Sequence, residues 1–186
     1  REVEALKTHR ENKISLPGVI IPETVEITND LKSAVNGAEI IVMAVASSFV
    51  RSTSKLLKDL IPNGQIIVDV AKGIEDDTFN TMTEIIEDEL PNCDAVALSG
   101  PSHAEEVGRK IPTAVVVATT KETAVKVQDS FSNHYFRVYV SPDRKSIELG
   151  GALKNVIALA AGVSDGLGFG DNTKALLITR GMKEIS

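Results

Sequence analysis

The sequence predicts an α/β fold, a mainly parallel sheet with helical crossovers followed by an all-helical segment. Three observations predict it. Five short apolar, β-branched runs fall at 39–45, 65–70, 95–98, 113–119 and 136–140. Each is continuous rather than alternating, as expected of strands buried on both faces. Helical patterns lie between most of them, and after Pro142 no further strand-like run occurs. Strand–helix–strand alternation implies right-handed crossovers and parallel pairing.

The elements follow in order. A charged, helix-like segment spans 2–7. Residues 10–27 hold Pro17, Gly18 and Pro22 and read as a loop with a short extended piece, Val19-Ile20-Ile21. A helix at 30–35 precedes the first strand. The next, 49–61, carries Val50, Leu57, Leu60 and Ile61; the one at 78–90 carries Met82, Ile85, Ile86 and Leu90; a fourth covers 122–132. From 146 to 186 the pattern is helical, interrupted by Asp165-Gly166-Leu167-Gly168-Phe169-Gly170. A boundary near 141–146 divides an α/β unit, 1–143, from a helical unit beginning at 144. The chain starts at Arg1 and runs to Ser186 without a helix stop signal, so both ends read as cut from a longer protein.

The 186 residues suffice for one domain with a real core and part of a second. A net charge of −6 argues against nonspecific binding to nucleic acid or anionic membrane, while leaving a small anionic substrate open. Cys93 is the single cysteine, which excludes an internal disulfide and a cysteine-built metal site and fits a reducing, cytoplasmic setting. His9, His103 and His134 have no metal-ligand spacing. No uninterrupted apolar run approaches the ~18 residues of a membrane span, and no signal peptide is evident.

Ligands of open parallel sheets bind beyond the carboxyl ends of the strands. The first such end reads Val45-Ala46-Ser47-Ser48-Phe49, where Ser47 or Ser48 is placed to cap the next helix. The second, Val70-Ala71-Lys72-Gly73-Ile74-Glu75, sets a lysine beside a glycine. Lys72 is either an exposed loop residue or a cation aimed at an anion in the crevice. The third, Leu98-Ser99-Gly100-Pro101-Ser102-His103-Ala104-Glu105, is a turn suited to present backbone N–H groups to an anion. Ser102 and Glu105 also have capping-box spacing, and His103 reads as a helix-surface histidine.

The segment Gly150-Gly151-Ala152-Leu153-Lys154-Asn155 puts a lysine into an apolar, small-residue helix. Leu149, Leu153, Val156 and Ala160 form its buried stripe, and Lys154 lies off it. Two helical glycines cost about 1 kcal/mol each relative to alanine, so close backbone access is needed there. Lys154 either snorkels to the surface or is kept partly from water, which lowers a lysine pKa and suits it to proton transfer. Asp165, Asp171, Asn172, Lys174 and Arg180 read individually as turn or surface residues. Gly166-x-Gly168-x-Gly170 follows a helix and so lacks the setting of a dinucleotide fingerprint.

As an ordered set, Ala71-Lys72-Gly73-Ile74-Glu75, Leu98-Ser99-Gly100-Pro101-Ser102, Pro112-Thr113-Ala114-Val115, Tyr135-Phe136-Arg137-Val138-Tyr139, Glu148 to Ala158, Asp165 to Asn172 and Ile178-Thr179-Arg180-Gly181 resemble the bacterial NAD(P)-dependent glycerol-3-phosphate dehydrogenases. The resemblance covers essentially the whole chain. It implies a Rossmann-type, mainly parallel sheet whose first strands are missing here, then the start of an all-α substrate domain. It implies NAD or NADP as cofactor and interconversion of dihydroxyacetone phosphate and sn-glycerol 3-phosphate for glycerophospholipid synthesis. By resemblance Lys154 is catalytic, Lys72 contacts substrate and cofactor, Gly100 and Ser102 contact substrate, Ala104 contacts cofactor, and Phe49 lies near the nicotinamide. Asn155 would orient the lysine or the substrate oxygen. The resemblance implies no metal and no nucleic-acid partner, and it allows a homodimer.

The chain departs from the family pattern at Ala46, where relatives commonly have proline. The glycine-rich phosphate loop expected before Arg1 and the Arg-Asn pair expected after Ser186 are not in the sequence, so these 186 residues alone are expected to bind cofactor poorly and turn over little. Two other readings compete: a ketopantoate or 2-hydroxy-acid type reductase, and a non-catalytic dinucleotide-binding module.

Overall fold

The computed structural model describes residues 2–119 and 121–185; Arg1, Thr120 and Ser186, the last residue of the 146–186 helical expectation, lie outside the described residues. The chain forms helices α1 (Glu2–His9) and α2 (Leu31–Val35), strand β1 (Ile40–Met43), a 3-10 turn (Ser47–Phe49) and α3 (Val50–Leu57). Then come β2 (Ile66–Asp69), α4 (Met82–Glu89), β3 (Asp94–Ser99), α5 (Ala104–Gly108), β4 (Thr113–Ala118), α6 (Lys121–Phe131) and β5 (Phe136–Ser141). Two longer helices follow, α7 (Arg144–Gly166) and α8 (Asp171–Ile185). All five expected strands form, and no strand follows Ser141 among the described residues.

The strands make one sheet in the order β1-β2-β3-β4-β5. β1–β2, β2–β3 and β4–β5 are parallel; β3–β4 is antiparallel, with Ser99 opposite Val116. The connection that reverses, residues 100–112, carries only the five-residue α5, a rise of about 7.5 Å.

Side chains alternate across the sheet, so Ile67 enters one core and Val68 the other. The first core joins Met43, Val50, Leu57, Ile67, Met82, Ile85 and Ile86 under α3 and α4; the second joins Val68, Val96, Val115, Val117, Val127 and Val138 under α6. Burial on both faces holds for the central strands only. On the edge strands Val42, Tyr139 and Val140 are exposed, because an edge has a neighbour on one side alone.

Several local expectations are corrected. The helix expected from 78 starts at Met82. Thr78 Oγ1 accepts from Asn80 N–H at 3.2 Å, and Phe79 is left-handed at φ 58°, which no helix turn accommodates. Neither Ser47 nor Ser48 caps α3, whose N-cap is Phe49 without a side-chain bond. Ser102 and Glu105 form no capping box: His103 is the N-cap of α5, and its Nδ1 lies 2.5 Å from Glu105 Oε2. The expected stripe of α7 is not buried: Leu153 and Val156 are exposed, and Leu149 and Ala160 are only half-buried; the inward face is Glu148 and Gly151. α7 is also long and apolar enough, by length and composition, to cross a membrane. Counting uninterrupted apolar runs missed it, because average hydropathy tolerates an interior lysine.

Candidate active site

The carboxyl ends of β2 and β3 and the first half of α7 enclose a cavity of about 740 Å³. Lys72, Gly100, Ser102 and Lys154 all line it, with Ser99, Val116 and Ile147 among the remaining walls. Four expected site residues from three separate stretches of sequence thus meet in one cleft. Phe49 and Ala104 are not among the lining residues; Phe49 is 60% exposed on the 3-10 turn. His103, expected on a helix surface, is exposed and also borders the cleft.

Each position has a local cause. Gly100 adopts φ +151°, and a Cβ there would stand 2.9 Å from Val115 Cα, so only glycine lets the turn after β3 lie against β4. Gly151 brings the bare backbone of α7 onto the floor of the cleft: a Cβ would stand 2.7 Å from Ser99 Oγ and 3.7 Å from Lys72 Cγ. The loop carrying Lys72 is fixed from outside by Arg51 of α3, whose guanidinium donates to both Glu75 carboxylate oxygens at 2.7 Å and to Asp88 Oδ2 at 2.6 Å. The Arg51 bonds to Glu75, and then the one donated by Thr78 Oγ1, hold the Glu75 carboxyl down to about 2.

The electrostatics of the cleft are cationic within an acidic chain. Among the described residues, neither Lys72 nor Lys154 has a carboxylate within ion-pair distance. Burial of Lys72, and then the charge of Lys154, push the Lys72 pKa down. Lys154 itself is exposed, and its Nζ donates to Asn155 Oδ1 at 2.9 Å. The shelter from water expected around Lys154 is therefore found around Lys72, which is half-buried under α7.

Beneath the cleft lie two acids that the sequence reading did not assign. Asp69 ends β2 and is 2% exposed; Glu148 of α7 is buried and accepts from Thr81 Oγ1 at 3.0 Å, from Thr83 N–H at 2.8 Å and from Thr83 Oγ1. The available signal for Asp69 was a lone carboxylate in the apolar run Ile66-Ile67-Val68-Asp69-Val70.

A family model described as the NAD-dependent glycerol-3-phosphate dehydrogenase N-terminus matches residues 1–125, and its C-terminus counterpart matches 143–186. The chain belongs to the NAD-dependent glycerol-3-phosphate dehydrogenase family. It is 58% identical to a glycerol-3-phosphate dehydrogenase [NAD(P)+] of Fusobacterium nucleatum, over 100% of this chain and 56% of that protein. It is 54% identical to the enzyme of the same name from Agathobacter rectalis, over 100% of this chain and 55% of that protein. The crystal structure of glycerol-3-phosphate dehydrogenase from Coxiella burnetii superposes with a TM-score of 0.90 at 33% identity, covering 98% of this chain and 56% of that one. The chain spans a little over half the length of these relatives.

Proposed function

We propose that this chain supplies the catalytic lysine and the sheet-side wall of an NAD(P)-dependent glycerol-3-phosphate dehydrogenase, interconverting dihydroxyacetone phosphate and sn-glycerol 3-phosphate. The observation that carries the reading is the pair of ammonium groups, Lys72 and Lys154, without carboxylate partners on one cleft beside the Gly100–Ser102 turn. A phosphate-bearing ketone is an anion that this donor set suits. Val116, Ile147 and Pro101 add an apolar wall that fits a planar ring.

NAD or NADP would supply the hydride. Lys72 would meet both ligands, with Ala104 and Phe49 on the cofactor side. The chain's own residues do the rest. Lys154 gives its proton to the alkoxide oxygen that develops as the carbonyl is reduced, and takes it back in the reverse direction. Asn155 holds Nζ of Lys154 by its amide oxygen. Gly100 and Ser102 orient the substrate, and Lys72 offsets its negative charge.

We read residues 1–143 as part of the cofactor domain and α7 and α8 as the beginning of the substrate domain. The same reading assigns a cytoplasmic, water-soluble enzyme without a nucleic-acid partner. α7 then serves as an interdomain helix rather than a membrane span: Glu148 bonds α4 and Gly151 packs on Ser99. A homodimer is the simplest assembly.

The test is Lys154→Ala in the complete protein. Turnover of dihydroxyacetone phosphate should fall by about 10²–10⁴ with an unchanged circular dichroism spectrum. Undiminished turnover would defeat the proposal. Faster reduction of ketopantoate than of dihydroxyacetone phosphate by the unsubstituted protein would favour the related reductase instead.

A further inference from the structure

We propose that Asp69 is a positioning residue for Lys72, a buried carboxyl that borders one small cavity with Lys72, Ser99 and Glu148 and sets the charge beneath the cleft floor. The inference rests on the reading above for its bearing on catalysis, but its test does not.

The geometry comes first. Asp69 ends β2 on the same face as Ile67, opposite Met43 of β1 and Ala97 of β3. Lys72 follows three residues on, in the loop after β2. A small cavity of about 10 Å³, the room of one water molecule, is bordered by Asp69, Lys72, Ser99 and Glu148 together. Asp69 Oδ1 accepts the Ala71 N–H at 3.3 Å, a single weak bond for a side chain so deeply placed. Glu148 accepts three bonds from Thr81 and Thr83.

The charged groups facing Asp69 are few. From α7 there is Glu148, which opposes its ionisation; from its own loop there is Lys72, which favours it. α4 contributes Thr81, Met82 and Thr83, and the neighbouring strands contribute Met43 and Ala97, none of them charged. Arg144 of α7 acts on Glu148 from further along the helix. Burial is the largest influence, and it pushes the Asp69 carboxyl up to about 7. Asp69 therefore gains its charge near neutrality, and that charge raises the Lys72 pKa against the burial and the Lys154 repulsion that lower it. Ionised Asp69 thus keeps Lys72 protonated to higher pH, while its own negative charge offsets part of that ammonium's attraction for an anion.

The experiment follows acetylation of individual lysines by acetic anhydride, read by mass spectrometry from about pH 6 to 9. Exposed Lys145 serves as the internal reference. In the unsubstituted protein the Lys72 profile should carry an inflection near the Asp69 transition. Asp69→Asn should erase that inflection and make Lys72 about threefold more reactive above it. Glu148→Gln, which removes the opposing charge, should move the inflection to lower pH. In turnover assays at neutral pH Asp69→Asn, which removes a negative charge beneath the cleft, should lower KM for the anionic substrate more than it changes kcat.

A Lys72 profile unchanged in both variants would overturn the proposal while leaving the dehydrogenase reading intact. Should Asp69→Asn fail to fold, Glu148→Gln alone decides by whether the inflection moves. Loss of turnover in Lys154→Ala together with a shifted Lys72 profile would support both readings independently.

Discussion

Gly151 carries no side chain because none fits between α7 and Ser99. Gly151→Val should push the helix off the sheet and cost about 1–3 kcal/mol, visible as a lower melting temperature. Gly150, one residue earlier, has open space around it; Gly150→Ala should gain up to about 1 kcal/mol from helix propensity and melt higher. The two glycines look alike in sequence, and only the fold separates one packed on Ser99 from one with open space around it. Lys154 was legible because a lysine among small residues breaks the pattern of its helix. Asp69 was not, because its apolar run describes a buried strand equally well with or without it. Nor could sequence spacing show that the sheltered lysine is Lys72, since its shelter comes from a helix some eighty residues away.

α7 runs antiparallel to α4 and is fastened along it. Arg144 donates to the two Glu87 oxygens at 2.6 and 2.7 Å, Lys145 Nζ to Glu84 Oε1 at 2.8 Å, and Glu148 accepts from Thr81 and Thr83. Arg144 also reaches Ala95 O at 3.1 Å, at the start of β3. α3 is fastened to the Lys72 loop by Arg51 and Glu75, and here pH enters with a definite sign. The Glu75 carboxyl is held at about 2 when folded and titrates near 4.3 in an unfolded chain. Its contribution is therefore present above about pH 4.3 and lost as pH falls toward 2. Glu75→Gln should flatten the acid limb of the stability curve over that window; melts between pH 2 and about 5 check it. The elements themselves were legible from apolar runs and periodicity. Their ends were not, because starts and caps depend on single hydrogen bonds, as at Thr78 and His103.

For the whole molecule, the central strands are buried while the outer face of α7 and α8 is not. Val156 is 63%, Leu159 72% and Leu176 70% exposed. Gly181 lets α8 approach Ile157 closely, yet an apolar groove of about 600 Å³ remains between the two helices. The 186-residue chain should accordingly bind an anilinonaphthalene dye, and Leu159→Glu with Leu176→Glu should sharply reduce its fluorescence. Unchanged dye binding would place the apolar surface elsewhere. The overall order of strands followed by helices was legible because it depends only on the sequence of patterns. The antiparallel turn of β4 was not, because a strand–helix–strand pattern of apolar runs reads the same for either direction of pairing.

That reversal has a final consequence. Because β4 and β5 run downward relative to β3, the chain leaves the sheet at its foot, beside Ala95, and α7 climbs back to the rim. Ten residues of helix from Arg144 to Lys154 rise about 15 Å, while β3 from Ala95 to Ser99 rises about 13 Å. The helix is thus a ruler laid against a strand, with the Lys154 amine at its upper mark. Point changes along it alter the finish of the ruler, but inserting or deleting one residue would swing the amine through about 100° and aim it away from the mouth.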